Sequence, residues 1–124
     1  MGKHLSEAEL EIMMVIWREP EPVTSTYIRK KLEGKRKWAL STLMTVLSRL
    51  EEKGYLICDR GGEKNLYRAA VTEEQYGASQ SKGILEKLYG NSLKSLVATL
   101  YEENCVSRED IQELREYLDQ FGEE

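Results

Sequence analysis

The segment from Leu40 to Gly54 constrains the fold most strongly, because its apolar and polar residues separate cleanly only if it forms a helix. At about 100° per residue, two arcs lie on opposite sides of that helix. The apolar arc contains Leu40, Leu43, Val46, Leu47 and Leu50, and the polar arc contains Ser41, Thr42, Thr45, Ser48 and Arg49, with Met44 on the border. Hydroxyl side chains are short and both donate and accept hydrogen bonds. The segment therefore predicts a helix that packs on one side and offers a polar face for close contact on the other.

The chain before this helix predicts two more helices. Residues 6–9 have the sequence Ser-Glu-Ala-Glu, a capping box that opens a first helix, and Pro20 lies beyond its end. A short extended piece begins at Val23, and either Thr24 or Ser25 caps a second helix. The outer face of that second helix is basic.

The chain after Gly54 predicts a β-hairpin. Two short strands, Tyr55–Arg60 and Asn65–Ala70, flank a turn that contains Gly61 and Gly62. The order helix, short strand, helix, helix, hairpin is typical of a winged helix-turn-helix. The predicted fold is therefore mainly α-helical with a small β-hairpin wing, and residues 1–71 form a DNA-binding domain.

Residues 72–124 predict a separate helical region. A second capping box at residues 72–75 opens a long helical pattern with a break near Gly90, and Ser107 caps a last helix. About fifty residues of helix with wide apolar stripes cannot bury those stripes alone, so pairing with a second copy of the chain is expected. The candidate dimerisation residues are Leu85, Leu88, Leu93, Leu96, Val97, Leu100, Ile111, Leu114 and Leu118.

The charge is distributed unevenly between the two regions. The net charge of −4 alone would argue against a nucleic-acid partner. However, residues 1–71 carry 13 basic and 10 acidic residues, whereas residues 72–124 carry 5 and 12. Within the first region, residues 24–53 carry eight basic and three acidic residues, a local charge of +5. The distribution favours a nucleic-acid-binding half joined to an acidic half with another role.

These patterns predict two sets of DNA-contacting residues. A helix fits the major groove, so the polar arc supplies the base-facing candidates: Ser41, Thr42, Met44, Thr45, Ser48 and Arg49. Phosphate contacts fix the position of the protein without specifying sequence, and their candidates in the basic loop and the wing are Lys37, Trp38, Lys53, Arg60, Lys64 and Arg68.

Other interpretations of the same features are available. A polar arc is often only a solvated face, and basic residues on a hairpin often keep a sheet edge from aggregating. A winged helix can also serve as a protein-interaction module without DNA binding, although the basic residues on the third helix and the wing argue against that alternative. The order of the elements, together with the +5 segment, favours DNA binding.

Enzymatic and metal-dependent functions are not expected. The sequence contains no glycine-rich phosphate loop and no zinc motif, and His4 is the only histidine available as a base for a serine or cysteine nucleophile. Cys58 and Cys105 are isolated, so neither a metal site nor a cofactor is expected. No apolar run approaches the length of a membrane span, and the acidic N-terminus does not resemble a signal peptide. A cytoplasmic protein is therefore expected.

Two motifs resemble the penicillinase-repressor family of bacterial transcriptional repressors (the BlaI/MecI/CopY type). The first is residues 5–17, and the second is Trp38 followed by residues 41–50 and by Lys-Gly-Tyr-Leu at 53–56. The resemblance implies a homodimer that represses transcription by occupying a two-fold symmetric operator. Two departures stand out: Met44 occupies a position where members often carry Lys or Arg, and the paired Cys-x-Cys motifs of copper-responsive members are absent.

The same resemblance implies a mode of release. Beta-lactam-responsive members are cleaved in the dimerisation helices through a membrane-bound sensor protease. The corresponding bond in this sequence is Thr99–Leu100, although the Asn-Phe pair associated with that cleavage is missing.

Overall fold

A computed structural model describes residues 4–121 of the chain. The chain divides into two compact units, of which the first ends at Gln80 and the second begins at Ser81. The elements in chain order are α1 (Glu7–Trp17), α2 (Ser25–Lys31), α3 (Leu40–Glu52), β1 (Leu56–Asp59), β2 (Leu66–Ala69), α4 (Glu73–Tyr89), α5 (Leu93–Glu102) and α6 (Arg108–Asp119). Each predicted element is present, and both strands are shorter than predicted.

Local side-chain chemistry fixes the start of α1. The Ser6 hydroxyl accepts a hydrogen bond from the backbone N–H of Glu9 at 3.2 Å, and the Glu9 carboxylate accepts one from the Ser6 N–H at 2.9 Å. This is the predicted capping box, which satisfies two backbone donors at the helix start. The helix ends at Trp17 and buries Ile12, Met13 and Ile16 in the core of the first unit.

The second and third helices form a helix-turn-helix. Thr24, one of the two predicted caps, accepts a hydrogen bond from the Tyr27 N–H at 3.1 Å. Helix α3 buries Leu43, Leu47 and Leu50 completely, as the apolar arc predicts. The other two members of that arc differ: Val46 is half-buried, and Leu40, at the first turn of the helix, is 47% exposed. The opposite side of α3 is therefore left for solvent or a ligand.

The hairpin pairs antiparallel, with Leu56 opposite Ala69 and Asp59 opposite Leu66. A single bridge between Val23 and Tyr67 adds the short extended piece to this sheet. Gly54 links α3 to β1 with a φ of +87°, a conformation that costs glycine little and other residues much more. The predicted winged helix-turn-helix is thus present.

The first compact unit extends beyond the predicted boundary at residues 71/72, because the beginning of α4 packs into it. Tyr76 is buried, and its hydroxyl accepts a hydrogen bond from the Leu5 N–H at 3.0 Å. The Tyr76 ring lies 5.8 Å from the rings of both Trp17 and Tyr55. The Trp17 indole N–H donates to the Val71 carbonyl at 2.8 Å. These contacts move the structural boundary into α4.

The second unit consists of the rest of α4 with α5 and α6. Gly90 and Asn91 adopt positive φ, which ends α4 at the predicted break before Ser92 caps α5. Ser107 and Asp110 form a capping box at the start of α6. Neither α5 nor α6 contains a buried residue, and their apolar side chains are half-buried or exposed. In the part of the chain that the structure describes, no helix has both the length and the apolar character to cross a membrane.

Candidate nucleic-acid interface

The exposed face of α3 carries the candidate base-facing residues. Five of the six are exposed and Met44 is half-buried; the exposed ones are Ser41, Thr42, Thr45, Ser48 and Arg49. Their common orientation follows from the helix period, since the same turns bury Leu43, Leu47 and Leu50 on the other side. The structure therefore brings these six side chains together on one surface, which we call the α3 face.

The polar groups of the α3 face keep most of their hydrogen-bonding capacity. The Thr45 hydroxyl donates to the Ser41 carbonyl at 3.0 Å, which leaves the lone pairs of its oxygen available. The Arg49 guanidinium has no hydrogen bond or ion pair to any residue between positions 4 and 121. A guanidinium of this kind, surrounded by short hydroxyl side chains, matches the bidentate recognition of base edges or phosphates.

Three of the six phosphate candidates are exposed cations without an ion-pair partner among the described residues. Lys37 lies just before α3, Lys64 lies in the hairpin turn, and Arg68 lies on β2 opposite Ile57. Exposed and unpaired cations can approach phosphates without first breaking a contact in the protein. These three residues are referred to below as the free cations.

Lys53 is held by a carboxylate instead. Its Nζ lies 2.7 Å from Oε2 of Glu9, a residue that is only 8% exposed. Burial by itself would raise the pKa of Glu9, but hydrogen bonds from Lys53 and from the Ser6 backbone overcome it, and the pKa of Glu9 lies below its ordinary value. The pair ties the end of α3 to the start of α1.

Arg60 is also paired. Its guanidinium donates two hydrogen bonds to the two oxygens of Glu51, at 2.7 and 3.0 Å. Hydrogen bonding to Arg60 lowers the pKa of Glu51, so the carboxylate stays charged in this pair. The pair ties the last turn of α3 to the end of β1.

Trp38 lies in the hydrophobic core of the first unit, with 8% of its surface exposed. Its carbonyl accepts a hydrogen bond from Nε of Arg29 at 2.8 Å, and the Arg36 guanidinium lies 5.9 Å from its ring centroid. Trp38 therefore packs beneath the basic loop, whereas the prediction placed it among the phosphate contacts.

The sequence prediction omitted the acidic residues near α3. Glu9 and Glu51 pair with predicted phosphate contacts, and no local pattern indicated either pairing. Glu52 is exposed one turn beyond Ser48, on the same stripe as Ser41 and Thr45. Extending the helix period by one more turn would have identified Glu52.

The candidate dimerisation residues lie on α4, α5 and α6. Leu88, Leu93 and Leu118 are exposed, at 73%, 55% and 46% of their surface. The other six are half-buried: Leu85, Leu96, Val97, Leu100, Ile111 and Leu114. Helices α5 and α6 enclose an apolar groove of about 730 Å³, lined by Leu93, Val97, Ile111, Leu114 and Leu118 among others.

The candidate cleavage bond lies inside α5. The Thr99 side chain is exposed and its hydroxyl donates to the Ser95 carbonyl at 2.9 Å, while Leu100 is half-buried.

Among residues 4–121, no group of three or more His, Cys, Asp or Glu side chains has the arrangement of a metal site.

Comparison with known proteins identifies the relatives of this chain. The model of the penicillinase repressor family matches residues 5–120. The chain belongs to the penicillinase-repressor family. The resemblance predicted from the sequence motifs is thereby confirmed.

Relatives in this family are similar along most of their length. The penicillinase repressor of Bacillus licheniformis is 34% identical over 116 residues, which cover 94% of this chain and 90% of that protein. The methicillin resistance regulatory protein MecI of Mammaliicoccus sciuri is 29% identical, and the match covers 92% of each chain.

A solved structure supports the assignment of the fold. The solution structure of monomeric Bacillus licheniformis BlaI in complex with the blaP half-operator superimposes with a TM-score of 0.52 and 32% identity. It covers 61% of this chain and 92% of that one. The mainly helical winged helix-turn-helix fold predicted from the sequence is confirmed.

Proposed function

We propose that this protein is a homodimeric transcriptional repressor that binds a two-fold symmetric operator in double-stranded DNA. The observation that carries the proposal is the α3 face, which exposes short hydroxyl side chains together with an Arg49 guanidinium that has no partner among residues 4–121. Membership of the penicillinase-repressor family, and the half-operator bound to BlaI in its solution structure, support it. Operator binding would take place in the cytoplasm, and it requires no cofactor and no enzymatic step.

Base contacts and phosphate contacts divide between two surfaces in this proposal. The α3 face enters the major groove, where Arg49 donates two hydrogen bonds to a guanine and the hydroxyls contact other base edges. Met44 offers an apolar contact to a thymine methyl group at the edge of that face. The free cations Lys37, Lys64 and Arg68 contact phosphates on either side and fix the position of the helix.

The second unit provides the dimer contacts. Its exposed leucines and the groove between α5 and α6 leave a large apolar surface uncovered, which is unfavourable for a monomer in water. A second copy covers that surface symmetrically, and two α3 faces then contact the two halves of the operator. The acidic charge of this region keeps it away from DNA.

A DNA-binding titration with the intact protein tests the proposal. Fluorescence anisotropy is measured first on a random-sequence duplex of about 30 bp, long enough for two half-sites one helical turn apart. The duplex that the protein enriches from a random library is then compared with a scrambled version of it; these are the selected and scrambled duplexes. We expect binding of both at low ionic strength and preference for the selected duplex as salt rises. If the protein binds neither the selected nor the scrambled duplex at low ionic strength, the proposal is refuted.

Release would occur by cleavage of Thr99–Leu100 through a membrane-bound sensor protease. This bond lies within α5, one of the helices of the proposed dimer interface, so cleavage would separate the last turn of α5 and the whole of α6 from the rest of the chain. Mass spectrometry of the protein from cells exposed to a beta-lactam should detect a fragment that ends at Thr99. Loss of repression while the protein stays intact would contradict this mode of release.

A further inference from the structure

The pair between Glu51 and Arg60 links the two parts of the proposed DNA-binding surface. Glu51 is in the last turn of α3, and Arg60 follows β1 directly, at the beginning of the hairpin turn. The guanidinium donates one hydrogen bond to each carboxylate oxygen, at 2.7 and 3.0 Å. A two-point contact of this kind fixes the orientation as well as the separation of its two partners.

The hairpin turn has few other contacts that would hold it in place. Residues 60–64 are all exposed. Within the turn, Oδ1 of Asp59 accepts a hydrogen bond from the Gly61 N–H at 2.9 Å, which is a contact inside the hairpin and not to α3. The Arg60–Glu51 pair is therefore a side-chain anchor between the beginning of the hairpin turn and the last turn of α3.

Transfer of Arg60 from Glu51 to a phosphate would be unfavourable. The pair is half-exposed, with 57% of the Arg60 side chain and 31% of the Glu51 side chain accessible, so it is already partly desolvated. If Arg60 left Glu51 for a phosphate, one charge-assisted contact would replace another. The Glu51 carboxylate would then lie unpaired near the negative DNA backbone. The exchange gains little and adds a repulsion.

We propose that Glu51 and Arg60 are positioning residues that stay paired when the protein is bound to DNA and set the place of the wing relative to α3. This inference rests on the proposed function. Arg60 then acts through Glu51, and Lys64, four residues further along the turn, makes the phosphate contact. The prediction that Arg60 itself contacts a phosphate is replaced by this role.

A double-mutant cycle separates the two roles of Arg60. The variants are Arg60→Ala, Glu51→Ala and their combination, measured by anisotropy on the selected and scrambled duplexes over a series of salt concentrations. Glu52→Ala is the matched control, because it removes a carboxylate from the same helix turn without breaking this pair. Lys64→Ala is the positive control for loss of a phosphate contact. Circular dichroism checks that each variant is folded.

The positioning role gives a distinctive pattern. We expect Arg60→Ala and Glu51→Ala each to weaken binding of the selected duplex by about threefold to tenfold, and the double variant to be no weaker than the weaker single variant. The slope of log K against log[salt] should stay at the wild-type value in Arg60→Ala, whereas Lys64→Ala should lower its steepness by about 0.9 per protomer.

Two results would overturn the inference. One is a slope reduced in Arg60→Ala as much as in Lys64→Ala, since that is the signature of a phosphate contact. The other is a Glu51→Ala variant that binds as tightly as Glu52→Ala, or more tightly than wild type. Failure of the wild-type protein to bind either duplex would instead refute the proposed function, so the two failures are distinguishable.

Discussion

Substitution of Lys53 by Met should destabilise the first unit and leave a buried carboxylate without its cation. Glu9 is 8% exposed and lies 2.7 Å from the Lys53 ammonium. A hydrogen bond to a charged group contributes about 1.5–3 kcal/mol, and removing one partner leaves the desolvation cost of the other. Because 30% of the Lys53 side chain is accessible, water screens part of this interaction. We therefore expect a loss of about 1–3 kcal/mol in the free energy of unfolding near pH 7.

The pH dependence distinguishes the ion pair from other effects of the substitution. The folded-state pKa of Glu9 lies below its ordinary value of 4.5. Its stabilising contribution is therefore complete above that value and is lost as pH falls through the lower folded pKa. The difference between wild type and Lys53→Met should be largest at neutral pH and should narrow in acid. The substitution also removes a cation from the C-terminal end of α3. That contribution to the difference in unfolding free energy does not change with the protonation of Glu9.

Urea unfolding, followed by circular dichroism at equal protein concentrations between neutral and acidic pH, measures both quantities. Lys64→Met is the control, since Lys64 is exposed and has no ion-pair partner among residues 4–121; its effect should stay within about 0.5 kcal/mol. Equal unfolding midpoints for the two variants would refute the reasoning. A gap between wild type and Lys53→Met that stays constant down to acidic pH would refute it as well.

Three further predictions concern DNA binding and assembly. Arg49→Ala should cost about 1–3 kcal/mol on the selected duplex and much less on the scrambled one, with Thr45→Ala showing the same pattern more weakly; equal losses on both duplexes would contradict a base-facing role. Lys64→Ala should weaken both duplexes alike and reduce the steepness of the salt dependence by about 0.9 per protomer, and an unchanged slope would show that it contacts no phosphate. Leu118→Glu should give monomers in sedimentation experiments, because it places a charge in the exposed groove between α5 and α6. The control Gln120→Glu should remain dimeric. Dimers of Leu118→Glu at micromolar concentration would contradict the proposed interface.

The elements that sequence reasoning predicted well are those fixed by neighbouring residues. The capping boxes at Ser6 and Thr72 involve residues three positions apart, and most of the apolar arc of α3 follows from the helix period. The end of α4 required only Gly90 and Asn91, which adopt positive φ as residues at helix ends often do. In each case the decisive interaction lies within about one helical turn.

The features that sequence reasoning missed depend on residues brought together by the fold. Tyr76 contacts the backbone of Leu5 across 71 positions, which moves the end of the first unit into α4. Glu9 and Lys53 are 44 positions apart, so no local pattern indicated that one would neutralise the other. Trp38 was placed with the basic loop because of its neighbours in sequence, whereas its side chain packs in the core.

Contacts between residues distant in sequence also change what the charge pattern means for DNA binding. Counted along the chain, residues 24–53 carry a charge of +5, and every cation in that count has equal weight. In the folded chain, Lys53 is held by Glu9 and Arg36 by Glu11, with an Nε–Oε1 distance of 3.1 Å in the second pair. Counterion release depends on the phosphates that cations contact, and a cation already paired within the protein gains less from such a contact. The steepness of the salt dependence should therefore follow the number of unpaired cations at the interface and not the charge of the segment.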